Sequence, residues 1–389
     1  MKAAIVGIAG PELDPAEAAL FREHRPAGVI LFARNITGPP QLAGLVAALR
    51  RVLPPESVLM VDQEGGRVAR LRPPHWRAHP PAAALGAVFA TSAADGLRAA
   101  WLTGALIGLD CAAAGFDVVA APVLDLGLPG ASAGIGDRAL AEGPVVVARL
   151  GRALAAGLLA AGVQPVAKHA PGHGRAQLDS HLGLPTVVAN DLDADLLPFT
   201  LNADLPWAMT AHISYPTWDP ALPATLSPAI IKGVIRGRIG FEGVLVTDDL
   251  AMRALSGAPA DLALQALAAG CDLALYCSGE AAPTAALLTA CPAVTPQAAM
   301  RLGRARTLAR RRLLCLDEDA LATDRERLLA LVDPRPAGAT LSDPTQADPT
   351  LADPTQADPT RADPTLADLT LASPTPSDPT LAATSRPSP

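Results

Sequence analysis

The stretch Val163–His181, VQPVAKHAPGHGRAQLDSH, shows most clearly how this chain is built. Its first five residues form an apolar run typical of a buried strand, and fourteen residues rich in histidine and charge follow directly. Pro171, Gly172 and Gly174 disfavour a helix in the second part. We interpret the stretch as a buried strand followed by a loop that can carry chemistry.

The same order of elements recurs from residue 1 to about residue 280. Short apolar runs alternate with Ala- and Leu-rich helical patterns, which we place at 15–24, 41–52, 96–114, 145–161, 228–237 and 258–269. Eight runs qualify as strands: Ala3–Ile8, Gly28–Phe32, Ser57–Val61, Asp117–Ala121, Gln164–Ala167, Trp207–Ala211, Gly243–Thr247 and Cys271–Tyr276. Their interiors are apolar on both faces, as in parallel strands covered by helices.

Eight such units predict an α/β fold with a single TIM-type (β/α)8 barrel. A doubly wound open sheet is the competing architecture. It is disfavoured because no GxGxxG motif follows the first strand and because polar residues lie at the ends of many strands rather than a few.

The chain after residue 280 changes character twice. Helical patterns at 283–289, 295–314 and 317–332 extend the barrel domain, to which we assign residues 1–335. Beyond it, the motif Ala-Asp-Pro-Thr recurs every five residues from Ala347. Regular proline forbids a helix, and there is little apolar surface to offset the entropy of ordering. Residues 336–389 are therefore predicted to form a disordered tail.

Composition limits the possible partners and location. The net charge of −7 argues against nucleic acid or an anionic membrane surface as the main partner. Five cysteines without CxxC spacing suit a reducing compartment. The first apolar run stops at Gly10-Pro11, too early for a signal peptide, and no stretch is a convincing membrane span. We expect a cytoplasmic monomer that acts on a small ligand.

Ionisable side chains follow several predicted strands and should meet at the carboxyl rim of a barrel. Three chemistries could use them. Metal-assisted hydrolysis could draw on His169, His173, His181 and Asp179, although two histidines four apart indicate a metal strongly only on a helix. Nucleophilic catalysis by cysteine would rest on Cys277, which has no histidine near it in the sequence.

Glycosyl transfer is the third chemistry. A strand-end aspartate, Asp248, can attack an anomeric carbon if a second group protonates the leaving oxygen. Asp179 lies two residues from His181, so its carboxylate can orient the imidazole and stabilise the charged form. Histidine gives and retakes a proton near neutral pH.

At these residues the sequence resembles glycoside hydrolase family 3, and within it the bacterial β-N-acetylhexosaminidases that recycle peptidoglycan. The matching segments are VDQEGGRVAR (61–70), APVLDL with IGDR (121–126 and 135–138), KHAPGHG with DSH (168–174 and 179–181) and RGRIGFEGVLVTDDLAM (236–252). They occur in the family's order. The resemblance implies that Asp248 is the nucleophile and that Asp179 and His181 form the acid/base pair.

The resemblance also implies a pocket for a sugar bearing an acetamido group, formed by Asp62, Arg70, Arg138, Lys168 and His169. It implies a retaining enzyme without cofactor or metal, acting on terminal N-acetylglucosamine of muropeptides. We further predict that the glycine-containing loop moves and brings His181 over Asp248 only when substrate is bound. Two alternatives remain open: a phosphorylase that uses phosphate in place of water, and a sugar-binding barrel without catalysis.

Overall fold

A closed barrel of eight parallel strands forms the centre of the protein. The structure, a computed structural model, describes residues 1–189 and 191–332. The strands follow one another around the barrel in sequence order, and β8 pairs with β1. They are Lys2–Val6 (β1), Pro26–Leu31 (β2), Val58–Val61 (β3), Val118–Val119 (β4), Gln164–Ala170 (β5), Trp207–Thr210 (β6), Val244–Asp249 (β7) and Leu273–Tyr276 (β8). The predicted barrel is confirmed, and the open sheet is wrong.

Helices cover the outside of the barrel. They are Pro15–His24 (α1), Pro39–Val52 (α2), Ala82–Thr91 (α3), Ala93–Ala113 (α4), Pro144–Ala160 (α5), Asp193–Thr200 (α6), Pro259–Ala269 (α7), Ala281–Ala290 (α8), Pro296–Arg312 (α9) and Glu318–Leu329 (α10). Between β6 and β7 the helical segment Ile230–Arg238 is wound more widely, with Ile239 N donating to Val234 O five residues back. Each helix predicted from the sequence is present, with ends shifted by a few residues.

Two helices, α3 and α6, were not predicted. The sequence signal for α6 is weak because the helix is only eight residues long and contains Pro198, which lacks the N–H that a helix interior uses. Helix α3 is almost wholly apolar, so its sequence shows no contrast between a buried and an exposed face. Local patterning cannot reveal either helix.

Side chains alternate between two cores along every strand. Residues such as Ile5, Met60 and Val246 fill the inside of the barrel, whereas their neighbours pack outward beneath the helices. The inner core contains one large polar-tipped side chain, Trp207, whose Nε1 donates to Gln164 Oε1 at 2.9 Å. A filled interior leaves the carboxyl rim as the place for a site.

Strand lengths differ from the prediction where the rim begins. The strand β4 has two residues, because the chain turns after Val119, where Ala121 N donates to Val119 O at 2.8 Å. The chain nevertheless stays beside β5, since Lys168 N donates to Pro122 O at 3.1 Å and Leu124 N donates to Lys168 O at 2.7 Å. In contrast, β5 and β7 run further than predicted, so Lys168 and Asp248 lie within the strands rather than on loops, at points where the pairing register shifts.

The C-terminal helix α10 packs against α4 and is tied down by a buried polar contact. Arg325 Nη1 lies 3.0 Å from His79 Nδ1, and His79 Nε2 lies 2.9 Å from Asp110 Oδ2. The helix thus packs as part of the barrel domain. The predicted boundary at residue 335 stays a prediction, because the last described residue is Val332. The predicted tail, 336–389, lies outside the described residues. No helix in the described part of the chain has the length and hydropathy needed to cross a bilayer.

Candidate active site

The alternation of the strands determines which side chains enter the mouth of the barrel. Three inward-facing apolar residues lie near the carboxyl ends of their strands: Met60, Val166 and Val246. Two positions further along are Asp62, Lys168 and Asp248, which therefore continue on the inner side. Asp249 faces the opposite way, towards β8, where its Oδ1 accepts a hydrogen bond from Cys277 N at 2.9 Å. Strand geometry thus separates the two adjacent aspartates.

A cluster of two carboxylates and three cations forms one side of the site. Lys168 Nζ lies 3.0 Å from Asp62 Oδ1 and 2.5 Å from Glu64 Oε1. Arg70 Nη2 lies 3.2 Å from Asp62 Oδ2. Arg138 grips Glu64 with two hydrogen bonds, from Nε at 2.8 Å and from Nη2 at 2.9 Å. Every carboxylate in the cluster therefore has two cationic partners.

These charges hold one another in the ionised form. Burial raises the pKa of Asp62, but Lys168 and Arg70 outweigh it and the net pKa is lowered. Burial also raises the pKa of Glu64, yet Arg138 and Lys168 bring it far below the usual range. For Lys168, burial lowers the pKa, and the two carboxylates more than restore it. The cluster therefore offers fixed charged donors and acceptors to a polyhydroxylated ligand.

A second buried carboxylate, Asp125, fixes the start of the loop that follows β5. Its Oδ2 lies 2.6 Å from His169 Nδ1, and its Oδ1 accepts a hydrogen bond from His173 N at 2.6 Å. The two imidazole rings meet edge to face, with centroids 5.8 Å apart. Burial lowers the pKa of His173 to about 4, so this ring is neutral near pH 7. Its Nε2 lies 3.3 Å from Ser180 Oγ.

Asp179 and His181 form a pair further along the same loop. Asp179 Oδ1 lies 2.9 Å from His181 Nδ1 and also accepts the backbone N–H of His181 at 2.9 Å. Burial raises the pKa of Asp179, but the contacts with His181 lower it to about 2. Burial lowers the pKa of His181, and Asp179 followed by Asp248 reverses this, so that the pKa is raised. The imidazole is thus oriented at Nδ1 and favoured in its protonated form.

Asp248 stands at the end of β7 among three imidazoles. Burial raises its pKa, but His169, His212 and His181 together outweigh burial, and the net pKa lies below its usual value. His212 is buried and held on both sides, with Nδ1 at 2.8 Å from Thr225 Oγ1 and Nε2 at 2.9 Å from Asp249 O. The Asp248 carboxylate is therefore ionised at neutral pH and available as a nucleophile.

The loop of residues 171–181 is held over the rim by contacts at its start, middle and end. Tyr215 OH donates to Gly172 O near its start. In its middle, Ala176 O accepts a hydrogen bond from Ser132 N at 2.7 Å. At its end, Ser180 O accepts one from Ala254 N, in the segment after β7, at 3.2 Å. These contacts place the Asp179–His181 pair beside the end of β7.

All eight residues proposed from the sequence lie at this rim, and two close neighbours were missed. Glu64 and Asp125 fall within the quoted segments VDQEGGRVAR and APVLDL, yet neither was assigned a role. Both lie within a few residues of a strand end, which is the signal that could have found them. Their importance becomes visible only through their partners: Arg138 lies in the connection between β4 and α5, and His169 lies on β5.

The competing chemistries find less support in the geometry. Within residues 1–189 and 191–332, no three His, Cys, Asp or Glu side chains are grouped as metal ligands. The histidines proposed for a metal are instead engaged by separate partners, such as Asp125 and Asp179. Cys277 is buried, and burial with nearby carboxylates raises the pKa of its thiol well above the usual value. A thiol in that state is a poor nucleophile.

Comparison with known proteins identifies the family. Residues 6–301 match the glycosyl hydrolase family 3 N terminal domain. The chain belongs to glycosyl hydrolase family 3. It is 42% identical over 308 residues to a β-hexosaminidase of Alkalilimnicola ehrlichii, covering 77% of this chain and 87% of that protein. A β-hexosaminidase of Methylococcus capsulatus is 39% identical, with 82% of this chain and 94% of that protein covered. The resemblance found in the sequence is confirmed, and the protein is a glycoside hydrolase.

Solved structures of family 3 enzymes are similar as well. NagZ from Neisseria gonorrhoeae, in complex with N-trifluoroacetyl-D-glucosamine, superposes with a TM-score of 0.74 at 30% identity. The match covers 85% of this chain and 98% of that one. A family 3 β-N-acetylglucosaminidase from a Paenibacillus species gives a TM-score of 0.72 at 33% identity, covering 84% of this chain and 66% of that one. The whole described barrel is thus shared with these hydrolases.

Proposed function

We propose that this glycoside hydrolase is a retaining β-N-acetylhexosaminidase that removes terminal N-acetylglucosamine. One observation carries the proposal: the Asp179 carboxylate orients the His181 imidazole on a loop that is hydrogen-bonded through Ser180 O to the segment after β7, and His181 and the strand-end carboxylate Asp248 shift each other's pKa. These are the two groups that a double displacement at an anomeric carbon requires. The names of the relatives, β-hexosaminidase and β-N-acetylglucosaminidase, support the choice of sugar.

In the first step, an Asp248 oxygen bonds to C1 as the bond between C1 and the leaving oxygen breaks. Protonated His181 gives its Nε2 proton to that oxygen, so the alcohol departs neutral and a glycosyl-enzyme remains. The raised pKa of His181 and the lowered pKa of Asp248 favour the starting states. Asp179 stabilises the charged imidazole before transfer and keeps Nδ1 protonated afterwards.

In the second step, His181 acts as a base. Its Nε2 takes a proton from water as the water oxygen bonds to C1, and the ester bond to Asp248 breaks. The acid and the base are the same group in opposite protonation states, so the enzyme returns to its starting form. Two displacements at one carbon leave the sugar in its original β configuration.

The cluster around Lys168 is proposed to bind the sugar. Asp62 accepts hydrogen bonds from hydroxyl groups, while Lys168, Arg70 and Arg138 donate to hydroxyl and acetamido oxygens. His169, fixed at Nδ1 by Asp125, completes the pocket next to the nucleophile. The paired charges support this role because they are held in place before the ligand arrives.

We further propose that the natural substrates are muropeptides and that the protein acts in the cytoplasm as a monomer. The motif resemblance to peptidoglycan-recycling members of the family supports the substrate. The proposal of location and oligomeric state is tested by cell fractionation and by light scattering of the purified chain. Recovery in a membrane or exported fraction, or a stable dimer, would contradict it.

The central experiment measures hydrolysis of an aryl N-acetyl-β-glucosaminide by the wild type, Asp248→Ala and Asp261→Ala. Asp261 is an exposed carboxylate in the first turn of α7, so it controls for the substitution itself. We expect activity to vanish only in Asp248→Ala, and NMR to show the β-anomer of the product first. Equal activity in all three proteins, or none in the wild type, overturns the proposal.

The same assay separates the alternatives. Added phosphate should leave the rate and product unchanged, whereas a phosphorylase would release a sugar 1-phosphate. An aryl β-glucoside should react much more slowly, because it lacks the acetamido group. A disaccharide-peptide from peptidoglycan should lose its N-acetylglucosamine, and failure there would overturn the muropeptide assignment alone.

A further inference from the structure

The Asp179 carboxylate packs against another part of the chain, the connection between β4 and α5. Gly134 contacts the carboxylate directly: a Cβ added to Gly134 would lie 2.8 Å from Asp179 Oδ2 and 2.9 Å from its Cγ. Real Cβ atoms do not approach so closely, so only glycine allows Asp179 its observed position. Residues 132–135, which we name the Asp179 seat, thus form the segment against which the acid/base pair packs.

The seat is itself fixed by hydrogen bonds within the rim. Gly134 N donates to Ser132 Oγ at 3.1 Å, and Ser132 N donates to Ala176 O of the 171–181 loop at 2.7 Å. From the opposite side, Arg67 spans the segment with one guanidinium. Its Nη2 contacts the carbonyl oxygens of Ala133 and Gly134 at 2.8 Å each, and that of Ile135 at 3.3 Å.

Arg67 has an ion-pair partner outside the seat, and a second arginine joins the seat to the sugar-binding cluster. Arg67 Nε donates to Asp137 Oδ1 at 3.0 Å. Gly134 O also accepts a hydrogen bond from Arg138 Nη1 at 2.8 Å, and Arg138 holds Glu64 in the cluster. One carbonyl oxygen therefore receives two guanidinium groups, one from the segment after β3 and one from the seat's own connection.

We propose that Arg67 and Gly134 are positioning residues for proton transfer. Arg67 fixes the position of the Asp179 seat, and the seat fixes the orientation in which Asp179 holds the His181 imidazole. The inference rests on the proposed function. Neither residue touches the sugar or the reacting atoms in this arrangement. Both act through the carboxylate that orients the imidazole, and small errors in such orientation are costly to catalysis.

Leaving-group dependence distinguishes this role from general damage. A phenyl glycoside needs its oxygen protonated as the bond breaks, whereas a 2,4-dinitrophenyl glycoside departs without help. We expect Gly134→Ala to lower kcat/KM about 10- to 100-fold for the phenyl substrate, a partial loss of the roughly 10²- to 10⁴-fold that general acid catalysis contributes, and less than about threefold for the dinitrophenyl substrate. The alkaline limb of the pH profile should also move to lower pH.

Gly143→Ala is the matched control. It lies in the same connection, and an added Cβ would meet nothing closer than Val146 Cγ2 at 3.8 Å. It should behave as the wild type with both substrates. If Gly134→Ala lowers kcat/KM equally for both substrates, or if its kcat/KM values match those of Gly143→Ala, the inference is overturned.

Arg67 provides a second test that does not crowd the site. Arg67→Lys keeps the charge, but its side chain is shorter than that of arginine, so its ammonium group should not reach the three carbonyl oxygens that Arg67 Nη2 contacts, and it should show the same selective loss. Asp137→Asn removes only the ion-pair partner and should leave both rates nearly unchanged. If Gly134→Ala fails to fold, as judged by circular dichroism and thermal unfolding, the comparison of Arg67→Lys with Asp137→Asn decides whether the inference holds.

The outcomes separate this inference from the proposed function. If Asp248→Ala retains activity, the function itself fails. If Asp248→Ala is inactive but Arg67→Lys affects both substrates alike, the function stands and the positioning role is wrong.

Discussion

Replacing Glu64 by glutamine tests whether the buried ion cluster is a single unit. The Glu64 side chain is 5% exposed, and its partners Arg138 and Lys168 are 12% and 3% exposed. Glutamine keeps the shape but removes the charge, and its NH2 group would face a cationic donor. Removing one partner from a buried ion pair costs about 3–5 kcal/mol, because the remaining charges are left uncompensated. The cluster would then hold one carboxylate against three cations.

The control is the same substitution in a pair whose carboxylate is exposed. Glu242 lies 3.7 Å from Arg301 Nη2, but its side chain is 76% exposed. Such a pair contributes less than about 1 kcal/mol, so Glu242→Gln should unfold close to the wild type.

Thermal unfolding at pH 7 gives the comparison. For a domain of this size, 3–5 kcal/mol corresponds to a fall in Tm on the order of 5–10 °C for Glu64→Gln. Its kcat/KM should fall as well, because Lys168 and Arg138 lose the anchor that orients them towards the ligand. If the two glutamine variants unfold at the same temperature, the view that this cluster stabilises the barrel as a unit is wrong.

Three predictions concern pH. Burial raises the pKa of Asp249 to about 6 from 3.8. The stability that protonated Asp249 contributes is therefore fully present below pH 3.8 and is lost as pH rises through 6. Asp249→Asn should remove roughly 3 kcal/mol of this pH dependence of the free energy of unfolding, measured by comparing Tm between pH 4 and 7. Burial, aided by Arg325, lowers the pKa of His79. The protein should therefore lose stability as pH falls below 6.5, the pKa of histidine in the unfolded chain. His79→Gln should narrow the difference in Tm between pH 7 and pH 5, and an unchanged difference would contradict this. The alkaline limb of the pH profile of kcat/KM should lie above pH 6.5, because the pKa of His181 is raised. Asp179→Asn should move this limb to lower pH, and a limb that stays in place would contradict the pairing of Asp179 with His181.

The sequence predicts the barrel well because its signal is local. Each strand is a short apolar run, each helix a periodic pattern, and eight repeats of the unit leave few other folds. The order of elements also places strand ends together, which is why Asp62, Lys168 and Asp248 could be grouped without a structure. Strand β4 was predicted too long, since nothing in the apolar run 117–121 indicates the turn that follows Val119.

Contacts between distant segments could not be predicted in the same way. Asp125 becomes important only because β4 and β5 bring it against His169, and nothing near Asp125 in the sequence indicates a histidine partner. Gly134 is a stronger case, because one glycine among many acquires a role only when the 171–181 loop folds back on it. Side-chain partners across the rim depend on loop paths, and loop paths follow from tertiary packing rather than local preference.

The distribution of cations around the two functional aspartates differs in a way that suits their proposed roles. Asp62 is bound by Lys168 and Arg70, whose charges are permanent at neutral pH, and a carboxylate so paired is a good fixed acceptor but a poor nucleophile. Asp248 is surrounded instead by imidazoles, and the charges that lower its pKa come from histidines. The imidazoles stabilise the anion without an ion pair to it: in the described part of the chain, His169 and His181 pair with Asp125 and Asp179, and His212 Nε2 lies 2.9 Å from Asp249 O. The carboxylate is therefore ionised and still free to form a bond to carbon.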